Sequence, residues 1–255
     1  MSKKIIAAAN QKGGVGNTCL TVNLGAALAQ SGKRVCLIDL DPQANMSSYL
    51  GYEEDSSVTV NDMMLAIVHG GDVPANGILR SEKNGVDYVP SDINLSSADF
   101  YLTQVLARES VLKRVLSADC FCEYDYIIID CLPSLGVLLM NALTAADGVI
   151  IPVQTQKFAV NGLQSLTEII GQIKGTVNPC IEIMGILPTM VDGTNMSRDT
   201  LKLLSEKYGD KLTNARISRS VEAAYSTQKC RSLCVEKNSK LGEEYKALAE
   251  EIMRR

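Results

Sequence analysis

AANQKGGVGNT, residues Ala8 to Thr18, joins an apolar strand expected over about Lys4 to Ala9 to a helix expected from Thr18 to about Gln30. Gly13, Gly14 and Gly16 lack a β-carbon, so the backbone there can curl and turn successive N–H groups toward one anion at the helix N-terminus. The stretch therefore reads as a phosphate-binding loop that takes in Val15 and runs into Cys19. Thr18 places a hydroxyl where such a loop holds Mg²⁺. In the usual pattern a lysine stands directly before that threonine and reaches the β- and γ-phosphates; this chain has Asn17 there. Lys12, directly before the glycines, is the remaining basic residue beside the loop.

On the far side of the loop, Leu20, Val22, Leu24, Ala27 and Leu28 supply the apolar faces of the helix, which Ser31-Gly32 ends. RVCLID, Arg34 to Asp39, is an apolar run closed by an acid, as expected for a strand buried on both faces of a parallel sheet. Strand, helix and strand make a βαβ unit. From Asn45 to Gly85 the pattern weakens into a surface excursion with a helical stretch near Val60 to Val68. Val86 to Val89 gives a short strand, and Leu102, Val105, Leu106, Val111, Leu112 and Val115 predict a helix over Ser97 to Leu116. YIIID, Tyr126 to Asp130, is a second buried strand ending in an acid. Strands at Gly148 to Val153, Ile181 to Leu187 and about Ala215 to Ile217 alternate with helices near 135–146, 160–174 and 197–208. Leu241 to Arg254 is a last amphipathic helix. The fold class is α/β: one domain over 1–255, a doubly wound, mostly parallel sheet with helices on both faces.

In such a sheet ligands collect at the carboxyl ends of the strands, so the residues closing them matter most. Asp39 and Asp41 follow the second strand and Asp130 closes YIIID. One such acid often only caps a turn. Three at strand ends beside a glycine loop suit a Mg²⁺ carboxylate and a second carboxylate that orients an attacking water.

Residues 12–18, Lys-Gly-Gly-Val-Gly-Asn-Thr, resemble the deviant Walker A motif of the ParA/MinD family of P-loop NTPases. IDLDPQAN (38–45) resembles the family's A′ motif, and IIIDCLPSLG (127–136) its switch II and Walker B segment, with Leu132 where proline is more usual. ILPTMVD (186–192) resembles the strand and loop near the adenine, and ARISRSVEAAYSTQ (215–228) the arginine-containing stretch near the C-terminus of ParA proteins. The match runs over nearly the whole chain with the motifs in family order, so the chain is identified as a ParA/Soj-type partition ATPase. The resemblance implies ATP and Mg²⁺ as cofactors. It implies nucleotide contacts from Lys12, Gly13, Gly14, Val15, Gly16, Asn17, Thr18 and Cys19, with Pro188 and Met190 near the base. It also implies Mg²⁺ at Thr18 and Asp130 with Asp39 in support, water positioning by Asp41, and a Lys12 that crosses a dimer to the partner's nucleotide.

Further implications are an ATP-bound homodimer, non-specific double-stranded DNA, a ParB-like centromere-binding partner, and a cytoplasmic, nucleoid-associated protein acting in plasmid or chromosome partition. The basic residues Arg198, Lys202, Arg216, Arg219, Lys229 and Arg231 in the C-terminal third are the expected DNA contacts. The family's usual arginine after the Val-Asp of TMVD is replaced by Gly193-Thr194-Asn195. Asn17 can donate a neutral hydrogen bond but no charge, which predicts slow hydrolysis.

Composition narrows the alternatives. A net charge of −4 excludes a chain that is basic all over, leaving a local basic face. The 255 residues contain no run of about 18 apolar residues, and MSKKII leads into a strand without a signal-peptide pattern. The last helix carries Glu243, Glu244, Glu250 and Glu251, unlike a basic membrane anchor. Eight cysteines (19, 36, 120, 122, 131, 180, 230, 234) fall mostly in apolar elements and read as reduced, mostly buried thiols. They lack zinc-finger spacing, and His69 has no partner motif. Two other readings remain beside the partition ATPase: a nucleotide-binding scaffold without useful hydrolysis, and a metabolic or electron-transfer relative on the same fold. No cysteine pair is placed to bridge an iron–sulfur cluster between subunits, which disfavours the last.

Overall fold

A computed structural model describes residues 3–53, 57–156 and 159–255, with side chains for all of these but 159–161. The elements are β1 (Lys4–Ala8), α1 (Asn17–Gln30), β2 (Val35–Leu40), α2 (Asn45–Tyr49), α3 (Val60–Val68), β3 (Leu79–Ser81), β4 (Val86–Val89), α4 (Ala98–Tyr101), α5 (Val111–Val115), β5 (Tyr126–Cys131), α6 (Val137–Ala145), β6 (Gly148–Gln154), α7 (Ala159–Thr176), β7 (Glu182–Thr189), α8 (Asn195–Tyr208), α9 (Glu222–Gln228) and α10 (Lys240–Arg254). Among the described residues the strands form one sheet in the order β3-β4-β2-β5-β1-β6-β7. Every pairing is parallel except the β3–β4 hairpin at one edge.

The apolar runs have the composition they do because both faces of the sheet are covered. Strand side chains alternate with period two. Ile6, Leu37, Ile128 and Ile150 pack on the face carrying α1 and α10, while Ala7, Ile38, Ile129 and Ile151 pack on the face carrying α3, α5, α6 and α7. All eight are at most 1% exposed, and burying one such isoleucine or leucine contributes about 1.5–3 kcal/mol. Helix α1 approaches β2 closely because Gly25 has no side chain; a β-carbon there would lie 2.7 Å from Leu37 Cδ2. A buried polar cluster fastens α1 to the C-terminal segment. Asn23 Oδ1 accepts from Ser232 Oγ and Leu233 N, each at 2.8 Å, and the Tyr245 hydroxyl donates to Cys19 Sγ at 3.4 Å. Among the described residues no helix is long and apolar enough to cross a membrane.

Three expectations need correction. The helix expected over Ser97 to Leu116 is broken into α4, short 3₁₀ turns and α5. Ala107 takes a left-handed conformation (φ 53°), and Asn141 on α6 replaces helical hydrogen bonding by donating to Arg108 O and accepting from Leu112 N. Leu102, Val111, Leu112 and Val115 still reach the core, while Leu106 is 95% exposed. Next, Ala215 to Ile217 is not a strand. Ile217 N donates to Pro188 O at 2.9 Å, but Ala215 N is taken by the Glu251 carboxylate, so no continuous ladder forms along β7. Finally, of the eight free cysteines only Cys36, Cys131 and Cys234 are buried; Cys122 and Cys180 are exposed. The 45–85 excursion is also more structured than its sequence suggests, holding α2 and β3 and burying Met46, Tyr49, Met63 and Met64.

Candidate functional site

The glycine loop is pinned at two points. Asn10, buried after β1, donates through Nδ2 to Pro152 O at 2.6 Å and accepts from Lys12 N at 3.0 Å. Thr189 Oγ1 donates to Val15 O at 2.8 Å. Between these points the backbone turns through Gly14 (φ 73°) and Gly16 (φ 100°), conformations that L side chains rarely adopt. Gly16 is the N-cap of α1, whose first turn has no capping side chain and no acid. The positive end of the helix is left for a ligand anion.

Thr18 Oγ1 donates to Asp130 Oδ2 at 2.7 Å, and Thr21 Oγ1 adds a longer bond to Asp130 Oδ1 at 3.4 Å. Asp39 and Asp130 are register partners on β2 and β5 and lie, by strand parity, on the face that carries α1. The parallel sheet thus delivers both acids to the end of the loop. Asp39 is fully buried and accepts from Asp41 N at 3.1 Å, Ser47 N at 2.8 Å and Ser47 Oγ at 2.7 Å. It fixes the segment that carries Asp41, which is half-buried and lines the cleft.

Burial, with the neighbouring Asp39 and then Asp41 charges, pushes Asp130 well above the ordinary carboxylate range. Burial likewise pushes Asp39 up to about 6, against the lowering effect of its bonds to Ser47. Folded Asp39 holds its proton more tightly than the unfolded chain does. Its stabilisation is therefore complete below about pH 4 and is lost as pH rises through about 6. Chemical denaturation of metal-free protein from pH 4 to 7.5 is expected to show this fall, and Asp39→Asn, whatever its constant cost, to remove that part of the slope. An unchanged slope would mean that Asp39 titrates normally.

The same uncompensated negative charge is what a divalent cation would relieve. Among the described residues no group of three or more His, Cys, Asp or Glu side chains could hold a metal by itself. Thr18 and Asp130 offer two oxygens, the partial set expected of a Mg²⁺ that arrives with phosphate oxygens and keeps water.

Above the loop lies an open cleft of about 480 Å³, bounded by residues 13–19, Asp41, Tyr49, Cys131, Pro133, Met190 and Ala223. It adjoins an apolar slot of about 150 Å³ between Val15, Cys19, Met190, Ile217, Ala223 and Tyr245. A polar cleft beside a narrow apolar slot suits a polyanion joined to a flat base. Met190, at φ 50°, lines both cavities. Pro188 does not reach either; it is buried in β7 opposite Val153. Asn17 lines the cleft and donates through Nδ2 to Cys131 O at 3.2 Å, leaving its buried Oδ1 without a partner. Lys12 does not line the cleft. Its ammonium donates to Gln154 Oε1 and Gln156 Oε1, each at 3.3 Å.

The six basic residues do not form one cluster. Arg198 donates to Gly193 O and Asn195 Oδ1, and Arg219 pairs with Asp192 at 3.7 Å, so these two meet around the loop after β7. Lys202 lies one turn along α8 from Arg198 and faces Glu206 at 4.0 Å, and Arg216 is exposed beside the same sheet edge. Lys229 and Arg231 flank Cys230, whose carbonyl accepts from Asn84 in the β3–β4 turn, at the opposite edge. Arg231 is paired there with Glu236 at 3.6 Å. Sequence reasoning missed Asn10, Gln154, Gln156, Thr189 and Tyr245. Gln154 closes a buried strand, so the rule that selected the acids could have selected it too.

A family model described as an AAA domain matches residues 3–183. The chain is 40% identical over 225 residues to the chromosome partitioning protein ParA of Caulobacter vibrioides, covering 87% of this chain and 82% of that one. It is 39% identical over 252 residues to the sporulation initiation inhibitor protein Soj of Bacillus subtilis, covering 98% of each. Among solved structures it resembles cobyrinic acid a,c-diamide synthase from Mycobacterium smegmatis with bound ATP analog and magnesium, at 34% identity and a TM-score of 0.86, covering 99% of this chain and 94% of that one.

Proposed function

The chain belongs to the AAA-domain family that holds the ParA and Soj partition ATPases, and from that premise we propose that it is an ATP-dependent, dimerising partition ATPase which binds duplex DNA without sequence preference. The observation that carries the reading is the 2.7 Å bond between Thr18 and Asp130 at the end of the glycine loop. It sets a hydroxyl and a carboxylate beside backbone amides that suit a triphosphate. In this reading the phosphates lie on the N-terminus of α1 and the base enters the slot between Met190, Cys19 and Tyr245. Thr18 and Asp130 would hold Mg²⁺, which would neutralise phosphate charge there. Asp41, which lines the cleft and whose backbone N–H is fixed by Asp39, orients the attacking water. Asn17 contributes no charge, so turnover is slow. Lys12 stands outside its own cleft and serves the nucleotide of a second copy.

DNA binding rests on the four basic residues at the β7 edge, Arg198, Lys202, Arg216 and Arg219. Dimerisation brings two such edges to one duplex and makes the attraction depend on ATP. The surface is available to plasmid or chromosomal DNA, with a ParB-like protein as the partner that links it to cargo.

Anisotropy titrations of unrelated duplexes over a NaCl series, with ATP and Mg²⁺, test this. Binding is expected only with ATP, equally for every sequence, with log K falling by about 0.9 per phosphate contact against log salt. Arg219→Ala should weaken all duplexes alike and make that slope shallower. Because Arg219 also lines the base slot, Arg216→Ala is the companion: exposed and away from the slot, it should produce the same shallower slope with nucleotide affinity intact. Curves for both variants that overlay the parent at every salt concentration would return these arginines to an ordinary solvated face.

A further inference from the structure

We propose that Gln154 and Gln156 are positioning residues that hold Lys12 in its own subunit until dimerisation withdraws it; the proposal rests on the reading of Lys12 as a residue that serves a second copy's nucleotide. The two carboxamides form a fork. Both Oε1 atoms lie 3.3 Å from the Lys12 ammonium, and both glutamines stand at or just past the carboxyl end of β6. The fork is built on braced backbone: Gln156 N donates to Gln154 O at 2.8 Å, and Thr155 N to Thr189 O at 3.2 Å. Ser197 Oγ adds a bond to Thr155 Oγ1 at 2.9 Å.

Gln154 also has a defined orientation. Its Nε2 donates to Met190 Sδ at 3.1 Å, which leaves Oε1 toward Lys12. Met190 lines both the base slot and the phosphate cleft. A base seated in the slot meets the residue that orients the fork, so occupancy of a subunit's own site and release of its lysine share one side chain.

The hold is light because it is made of neutral acceptors at an exposed position. That suits a cation which must leave. A carboxylate in the same place would hold it harder, and a dimer must release two lysines, so any change per lysine enters the dimerisation constant squared.

Sedimentation of the full chain in saturating ATP and Mg²⁺ reads this directly. Gln156→Glu should weaken dimerisation about five- to tenfold at 50 mM NaCl and recover to within about twofold at 500 mM, where an exposed ion pair is screened. Gln156→Ala should act in the opposite direction and tighten the dimer about two- to threefold. Gln154→Glu repeats the first test at the other arm of the fork. A merely structural role for position 156 would weaken the dimer in both variants, with no return at high salt, and that result overturns the proposal. Variants that match the parent at both salt concentrations also overturn it, while leaving dimerisation itself standing. A Lys12→Ala protein that dimerises like the parent removes the premise instead.

Discussion

Asn17→Lys is expected to raise ATP turnover at least tenfold. Asn17 already lines the cleft, but its amide is turned to Cys131 O at the end of β5 and its carbonyl oxygen is buried without a donor. No positive side chain therefore faces the phosphates from this position. Removing one positioned donor from a site where charge develops costs about 3–4 kcal/mol, or 10²–10³ in rate, so restoring one should recover a good part of that. A lysine here gives up one neutral hydrogen bond, worth about 1 kcal/mol, and removes the orphaned oxygen, so the fold should tolerate it. Phosphate release measured for both proteins at saturating ATP, with and without duplex DNA, decides the point. Equal rates would mean that Lys12 or the loop amides already supply what position 17 lacks.

Lys12→Ala should leave ADP binding nearly intact and abolish ATP-dependent dimerisation. The side chain is exposed, lies outside the cleft and, among the described residues, hydrogen-bonds to Gln154 and Gln156. Truncating it removes nothing from the subunit's own nucleotide. In a dimer each lysine would meet a buried phosphate charge, and losing one partner of such a contact costs about 2–5 kcal/mol. Two losses weaken the dimer by at least about a thousandfold. Sedimentation in ATP and in ADP, paired with ADP titrations, measures both halves of the prediction. An unchanged ATP dimer would take Lys12 out of the interface.

Most of this site could be read from the sequence because its geometry is set by period and order. A strand running into three glycines and a helix has one way to present amides, and a buried parallel strand closing on an acid delivers that acid to the same end of the sheet. Asp39 and Asp130 needed only strand parity to be placed together. What could not be read depends on groups far away in the chain. Asn141 interrupts the helix expected over 97–116, and Glu251 takes the amide that would have continued a ladder at Ala215. The six basic residues are close in sequence, yet the segment carrying them crosses from the β7 edge to the β3–β4 turn. Asn17 was read by the charge it lacks; its link to Cys131 could not be inferred before β5 was placed beside the loop.

The position of β1 between β5 and β6 has a consequence for how the protein is made. Asn10 can anchor the loop only when Pro152 has been synthesised, 142 residues later in the chain. At about 5–20 residues per second a ribosome needs roughly 7–28 s to add that length. For most of this interval the first strand lacks both of its neighbours, since β5 begins only at Tyr126 and β6 at Gly148, and the glycine loop lacks its anchor to β6. Nucleotide competence is thus acquired late in translation, and a chain stalled before β6 would carry the motif without being able to use it.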